Sequence, residues 1–218
     1  MSTLVIQLPE HQRLRARALN EPSVEKARRR EYLYVTSDDG IAYDAQGEAA
    51  APLLPRRAQV IAVVRETDVS WHRIVLPKAP ASRLRAALAG TLEEALLDEA
   101  ESVHLAVAPL AVAGQPTWVA AIDRAWLLGE LEALQSAGVF VDRVVPMAWP
   151  DDPPIGHFHV PSAGQAASAS AEGVALSWAH ADGVATIRLD GGLARAVLPS
   201  PLPATTRWSA APNASAVA

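Results

Sequence analysis

Between Trp71 and Trp149 the chain reads strand, helix, strand, strand, helix, strand, and this order restricts it to an α/β fold. WHRIVLP (Trp71 to Pro77) is a strand. RLRAALAGTLEEALLD (Arg83 to Asp98) repeats Leu84, Leu88, Leu92 and Leu96 every fourth residue, with Ala87, Thr91 and Ala95 beside them, so one apolar stripe runs along a helix. VHLAVAP (Val103 to Pro109) is a second strand, and WVAAIDRAWLLGELEALQSAG (Trp118 to Gly138) runs from a strand into a second helix. Val139 to Val145 then returns as a strand, predicting a β-α-β unit whose helix covers one side of a sheet.

The helix ends are legible from side-chain chemistry. Ser82 is placed to cap the first helix. Gly90 inside that helix costs about 1 kcal/mol relative to Ala, so it marks either close packing or a tolerated glycine. Asp123 is a good N-cap for the second helix, and Gly138 suits the left-handed residue that closes it. Between them Leu127, Leu131 and Leu134 face one way.

The first seventy residues read as β-rich. Leu4 to Leu8 and Tyr32 to Val35 are strands, and Ser37, Asp38, Asp39 and Gly40 turn the second of these into Ile41 to Asp44. Val60 to Arg65 and Val69 to Leu76 are expected to pair across Glu66, Thr67 and Asp68. After Pro146 the texture changes: Pro150, Pro153 and Pro154 stiffen a connection, and Pro161 to Gly173 is too poor in apolar residues to order itself. Val174 to His180, Val184 to Asp190 and Leu193 to Leu198 read as three strands. The expected organisation is a first lobe over 1–149, a connection over 150–173, a strand-rich second lobe over 174–198 and a fraying tail over 199–218.

Composition excludes several classes of function. With 218 residues, half of them hydrophobic, the chain can bury a substantial core. It has no cysteine, which rules out thiolate chemistry and a disulfide framework, and a net charge of −5 argues against general nucleic-acid binding. MSTLVIQLPEHQR lacks the basic start and the small-residue cleavage site of a signal peptide. Ser102 to Ile122 is apolar and free of charge, yet Pro109, Gly114, Gln115, Pro116 and Thr117 interrupt it, whereas a spanning helix needs about 20 continuous apolar residues.

In this order and spacing, the four strings between Trp71 and Gly138, carried on to Trp149, resemble the cytoplasmic domain of the type II secretion system protein L. The resemblance implies an actin-like, ribonuclease H-like α/β fold, with mixed sheets flanked by helices in two lobes. It also implies a scaffold that holds the N-terminal part of the secretion ATPase, protein E, against the inner membrane and that associates with protein M. A homodimer is a further partner it admits. In that family a transmembrane helix and a periplasmic domain follow, so the tail after Pro199 would lead toward the membrane.

An actin-like fold also hosts ATPases, kinases and a nucleotide-binding scaffold of pilus assembly, so the residues must choose. A nucleotide site there needs an Asp-x-Gly turn after the first strand, where backbone amides approach the phosphates. Here that turn reads Gln7, Leu8, Pro9, Glu10, with no glycine for close approach and a proline lacking its N–H. No catalytic residue, cofactor or metal is therefore expected. Asp190, Gly191 and Gly192 imitate a second phosphate loop, but a glycine pair between short strands is the ordinary hairpin turn, and Asp38, Asp39 and Gly40 are a plain turn too. His157 and His159 would share one face of a strand, near Asp151 and Asp152, but lack a third ligand. His72, His104 and His180 stand singly in strands, and no nucleophile elbow is present.

Two charge clusters remain. Arg13, Arg15, Arg17, Lys26, Arg28, Arg29 and Arg30 outnumber the acids around them, which offers a surface to anionic lipid or an acidic partner, although a solvated loop is the plainer reading. Glu93, Glu94, Asp98, Glu99 and Glu101 contain no base and are expected at the end of the first helix, opposed to its dipole, as the landing site for a basic partner. Trp71, Trp118, Trp126, Trp149 and Trp178 are expected in the core or between lobes, with Trp208 exposed in the tail.

Overall fold

The alternation of buried and half-exposed residues in Leu4 to Gln7 and Val60 to Val64 places these two segments side by side at the centre of a sheet. The computed structural model describes residues 2–11, 30–160, 173–189, 192–211 and 214, and the chain divides into two compact units. The first comprises Met1–Val69, Leu96–His104 and Ile122–Met147; the second comprises Ser70–Ala95, Leu105–Ala121 and Ala148–Ala218.

In the first unit the strands β1 (Thr3–Gln7), β2 (Glu31–Ser37), β3 (Ala45–Ala50), β4 (Gln59–Val64) and β8 (Arg143–Pro146) form one sheet in the order β3-β2-β1-β4-β8. β1 pairs antiparallel with β2 and parallel with β4, which pairs parallel with β8. One face is covered by the helix Arg124–Ser136, whose Leu127 and Leu134 are buried in a cluster with Leu4, Ile6, Leu8, Tyr32, Val60, Ala62 and Val64. Leu131 packs against the same cluster, as the helix spacing requires. Asp123 caps this helix by accepting from the Trp126 N–H at 2.7 Å, and Gly138 closes it at φ 79°.

The second unit holds most of a sheet of β5 (Ser70–Val75), β6 (Val103–Val107) and β7 (Pro116–Asp123), ordered β5-β7-β6. It also holds a sheet of β9 (Ile155–His159), β10 (Ala175–His180), β11 (Gly183–Arg188) and β12 (Arg207–Ala210), ordered β11-β10-β9-β12. Helix α1 (Ala81–Leu92) belongs to this unit, and it buries Leu88 and Leu92. The helix of the first unit is α2 in chain order, and a short α3 spans Gly192–Val197. Among the described residues no helix is long and apolar enough to cross a membrane.

Several local expectations are corrected, each by a competing interaction. The run Val60 to Arg65 does not pair with Val69 to Leu76: β4 lies between β1 and β8, and β5 pairs with β7. Glu66–Asp68 forms a 3-10 turn with buried Glu66 and Asp68 instead of a hairpin loop. Val139 to Val145 contributes a strand only from Arg143, because the Val139 N–H is donated to the Leu134 carbonyl in closing α2. The strand that leads into α2 lies in another sheet, so the parallel neighbour of β8 is β4, and α2 covers their sheet from within the long connection between them. Ile41 and Ala42 give their N–H groups to the Asp39 carboxylate, at 2.7 and 2.9 Å, which delays β3 to Ala45.

Other corrections concern helix ends and the last third. α1 begins after Pro80 without a side-chain cap from Ser82, and it ends at Leu92. A Cβ on Gly90 would meet nothing within 4 Å, so that glycine is simply tolerated. Of the run Leu193 to Leu198 read as a strand, Leu193 to Val197 is helical, in keeping with the helix preference of Leu, Ala and Arg. The residues read as a fraying tail include β12, which pairs parallel with β9. Residues 161–172 lie outside the described set.

Two expectations follow from this packing. Tyr32 is 1 % exposed, and burial, reinforced by the Glu130 carboxylate, pushes its hydroxyl up to about 12. The raised value means that its contribution is intact below the ordinary value near 10 and is lost as pH rises toward 12. Wild type should therefore lose on the order of 2 kcal/mol more than Tyr32→Phe across that window in urea titrations. Separately, a Cβ on Gly156 would overlap the six-membered ring of Trp208. Gly156→Ala should destabilise by roughly 1–3 kcal/mol in thermal melts, and most of that loss should vanish in a Trp208→Ala background.

Candidate functional site

The segment after β1, where an actin-like fold would present its first phosphate loop, is occupied by the chain's own contacts. The Leu8 N–H continues the parallel ladder to the Val63 carbonyl at 2.8 Å, Pro9 has no N–H, and the His11 N–H is donated to the Asp68 carboxylate at 3.2 Å. Few amides are left there to cradle an anion. Glu10 faces Arg65 at 3.8 Å, and the His11 ring stacks on Trp126 at 5.4 Å with 24° between the planes. The capped first turn of α2 thus supplies an aromatic face where a phosphate would need space. This arrangement ties β1, the turn after β4 and α2 together. Its partners stand far apart in the sequence, so no local pattern announced them.

Below it, in the same unit, Arg30 forms an ion pair with Glu130 of α2, whose side chain is buried beside Tyr32. Of the basic group read from the sequence, only Arg30 is described; Arg13, Arg15, Arg17, Lys26, Arg28 and Arg29 lie outside the described residues. Arg30 is thereby committed to a structural pair.

The acidic group is exposed throughout, but only its first members stand at the helix end. Glu93 is the C-cap of α1, Glu94 follows in a turn, and Asp98, Glu99 and Glu101 stand beyond the helix. Ser102 closes that later turn, its N–H and hydroxyl both donating to the Glu99 carbonyl. Glu93 and Glu94 belong to the second unit, whereas Asp98, Glu99 and Glu101 belong to the first. Opposition to the helix dipole therefore applies to the first two alone.

His157 and His159 do share one face of β9, with rings stacked at 6.0 Å and 12°. Each meets a serine hydroxyl: Ser209 lies 2.9 Å from His157 Nδ1, and Ser177 lies 3.4 Å from His159 Nδ1. Asp151 pairs with Arg207 at 2.9 Å, and among the described residues no group of three His, Asp or Glu gathers for a metal ion. Ser70 approaches the half-buried His72, whose burial depresses its basicity. Asp38, Asp39 and Gly40 are a turn organised by the Asp39 carboxylate, and Asp190 and Gly191 lie outside the described residues.

The tryptophans divide differently from the sequence reading. Trp178 is buried, Trp71 and Trp118 meet edge to face at 6.5 Å, and Trp149 is 55 % exposed rather than in a core. Trp208 is half exposed, yet it stacks on Phe158 at 5.4 Å and leans on Trp178 at 5.6 Å. β12, which carries it, was invisible in a proline- and alanine-rich context.

The model of the type II secretion system protein L family matches residues 23–150. Among solved structures, the chain is similar to the cytoplasmic domain of EpsL, an inner-membrane component of the type II secretion system of Vibrio cholerae. The TM-score is 0.59 at 17% identity over 97% of this chain and 90% of that one, which shows a common fold. The PilM-PilN type IV pilus biogenesis complex aligns with a TM-score of 0.43 at 17% identity, over 86% of this chain and 61% of that one. A protein of unknown function with an actin-like ATPase fold, from Bacteroides thetaiotaomicron, aligns with 0.41 at 7% identity, over 89% and 72%. Both of these fall below the similarity at which a whole fold is shared. Comparison with curated proteins returned no match. The mixed sheets flanked by helices are those expected from the sequence, and with a family match over more than half of its length the chain belongs to the type II secretion system protein L family.

Proposed function

We propose that this chain is a non-enzymatic scaffold on the cytoplasmic side of the type II secretion inner-membrane platform, where it recruits the secretion ATPase, protein E, and meets protein M. The observation that carries the non-enzymatic part is the turn after β1. The Leu8 and His11 amides are spent on Val63 and Asp68, Pro9 has none, and the His11 ring is packed on Trp126. Membership of the protein L family supports the place in secretion. The exposed acids Glu93, Glu94, Asp98, Glu99 and Glu101 are the surface proposed for the ATPase, because single-sign charge accelerates encounter with an opposite partner.

Titration calorimetry with the N-terminal domain of the cognate ATPase should give micromolar affinity or better, about −8 kcal/mol, and absence of heat at tens of micromolar would sink the recruitment reading. Mg-ATP should leave the melting temperature unchanged, whereas a saturable rise would restore an ATPase or kinase through linkage.

Because Glu94 and Asp98 lie in different units, their reversals separate two versions of the surface. Glu94→Lys or Asp98→Lys should slow association several-fold and flatten its salt dependence in stopped-flow measurements, with the melting temperature intact. Wild-type kinetics in both folded variants would remove the acidic surface from consideration.

A further inference from the structure

The end of the first unit's sheet opposite to the turn after β1 carries a cleft of about 260 Å³. It opens at the N-terminal ends of the parallel strands, where Leu4 is the second residue of β1, Val60 the second of β4 and Asp142 precedes β8. One wall is the loop from Ala51 to Ala58, anchored where Ala58 N–H donates to the Ser2 hydroxyl at 3.2 Å and Gln59 N–H donates to the Ser2 carbonyl at 3.1 Å. The other is the chain from Ala137 to Asp142, which leaves α2 through Gly138.

The floor is apolar and buried, made by Leu4, Leu54 and Val60. The rim is not. Phe140 is 67 % exposed on one side, and Arg56 and Arg57 stand on the other. The one carboxylate in the lining, Asp142, already accepts the Val60 N–H at 2.7 Å. Arg57 has donors to spare. Its ion pair with the exposed Asp38 is loose, at 3.9 Å and beyond hydrogen-bond reach, which leaves the guanidinium able to meet a second carboxylate.

We propose that this cleft docks a short segment of a partner protein, which inserts one bulky apolar side chain over Leu4, Leu54 and Val60 and lays carboxylates on Arg56 and Arg57. An apolar hollow with a few convergent polar groups is the usual form of a side-chain pocket, and an arginine with unspent donors is best met by a carboxylate. The concavity favours a peptide over a bilayer, because a flat lipid surface cannot reach the floor. Exposed Phe140 would be covered at the same time, removing apolar surface from water. The proposal is independent of ATPase recruitment, which is assigned to surfaces of the opposite charge.

The test is a selection of random short peptides on the intact chain, followed by titration of the enriched peptides by fluorescence polarisation. Enrichment of Asp or Glu beside Phe, Trp or Leu is expected, with affinity falling at least about tenfold in Arg56→Glu/Arg57→Glu and again in Phe140→Ser. All three side chains are partly or largely exposed, so melting temperatures should stay near wild type, and Phe140→Ser alone serves if the double reversal does not fold. Peptides without acidic enrichment, or equal affinity for the variants, would overturn the proposal. So would co-sedimentation with phosphatidylglycerol vesicles that is lost in the same variants while no peptide binds, since that would make the rim a lipid contact.

Discussion

Burial of one face of β1 and β4 beneath helix α2 is the constraint on which the first unit depends. Leu4, Ile6 and Leu8 alternate with half-exposed residues, as do Val60, Ala62 and Val64, so a slip of one residue would turn every core side chain to the other face. Leu127 and Leu134 of α2 close over them. The position of the helix is set at its ends, by the Asp123 cap and by left-handed Gly138. Once α2 lies there, Glu130 is carried into the core, where Arg30 neutralises it, and Trp126 is brought against His11. A buried charge without such a partner would be strongly destabilising.

The same packing determines what the sheet can present at its two ends. At the C-terminal end of β1, where open α/β sheets commonly place their ligands, the Leu8 and His11 amides are donated to Val63 and Asp68 and the His11 ring stacks on Trp126. At the N-terminal ends of β1, β4 and β8, the loop rich in proline and arginine and the exit from α2 leave a hollow with an apolar floor and a cationic rim. The second unit follows its own logic, with Trp178, Phe158 and Trp208 stacked along one face of a sheet and paired histidines and serines on the other.

What the sequence by itself determined were features whose causes lie within a few residues. The stripe of Leu127, Leu131 and Leu134, the cap at Asp123, the closing Gly138 and the absence of glycine after β1 are all local, and each stands as read. The ordered strings from Trp71 onward were enough to suggest the family. Tertiary structure alone decided which strands meet, because β-pairing depends on burial shared across the chain rather than on neighbours. It placed β4 beside β1 and β8, paired β5 with β7, and turned four residues of an unpromising tail into β12 over Gly156. It also made the contacts that bear on function: His11 reaches Asp68 across 57 positions, and Arg30 reaches Glu130 across 100. No window of local periodicity spans such distances; only the closing of the core brings these groups within a bond of one another.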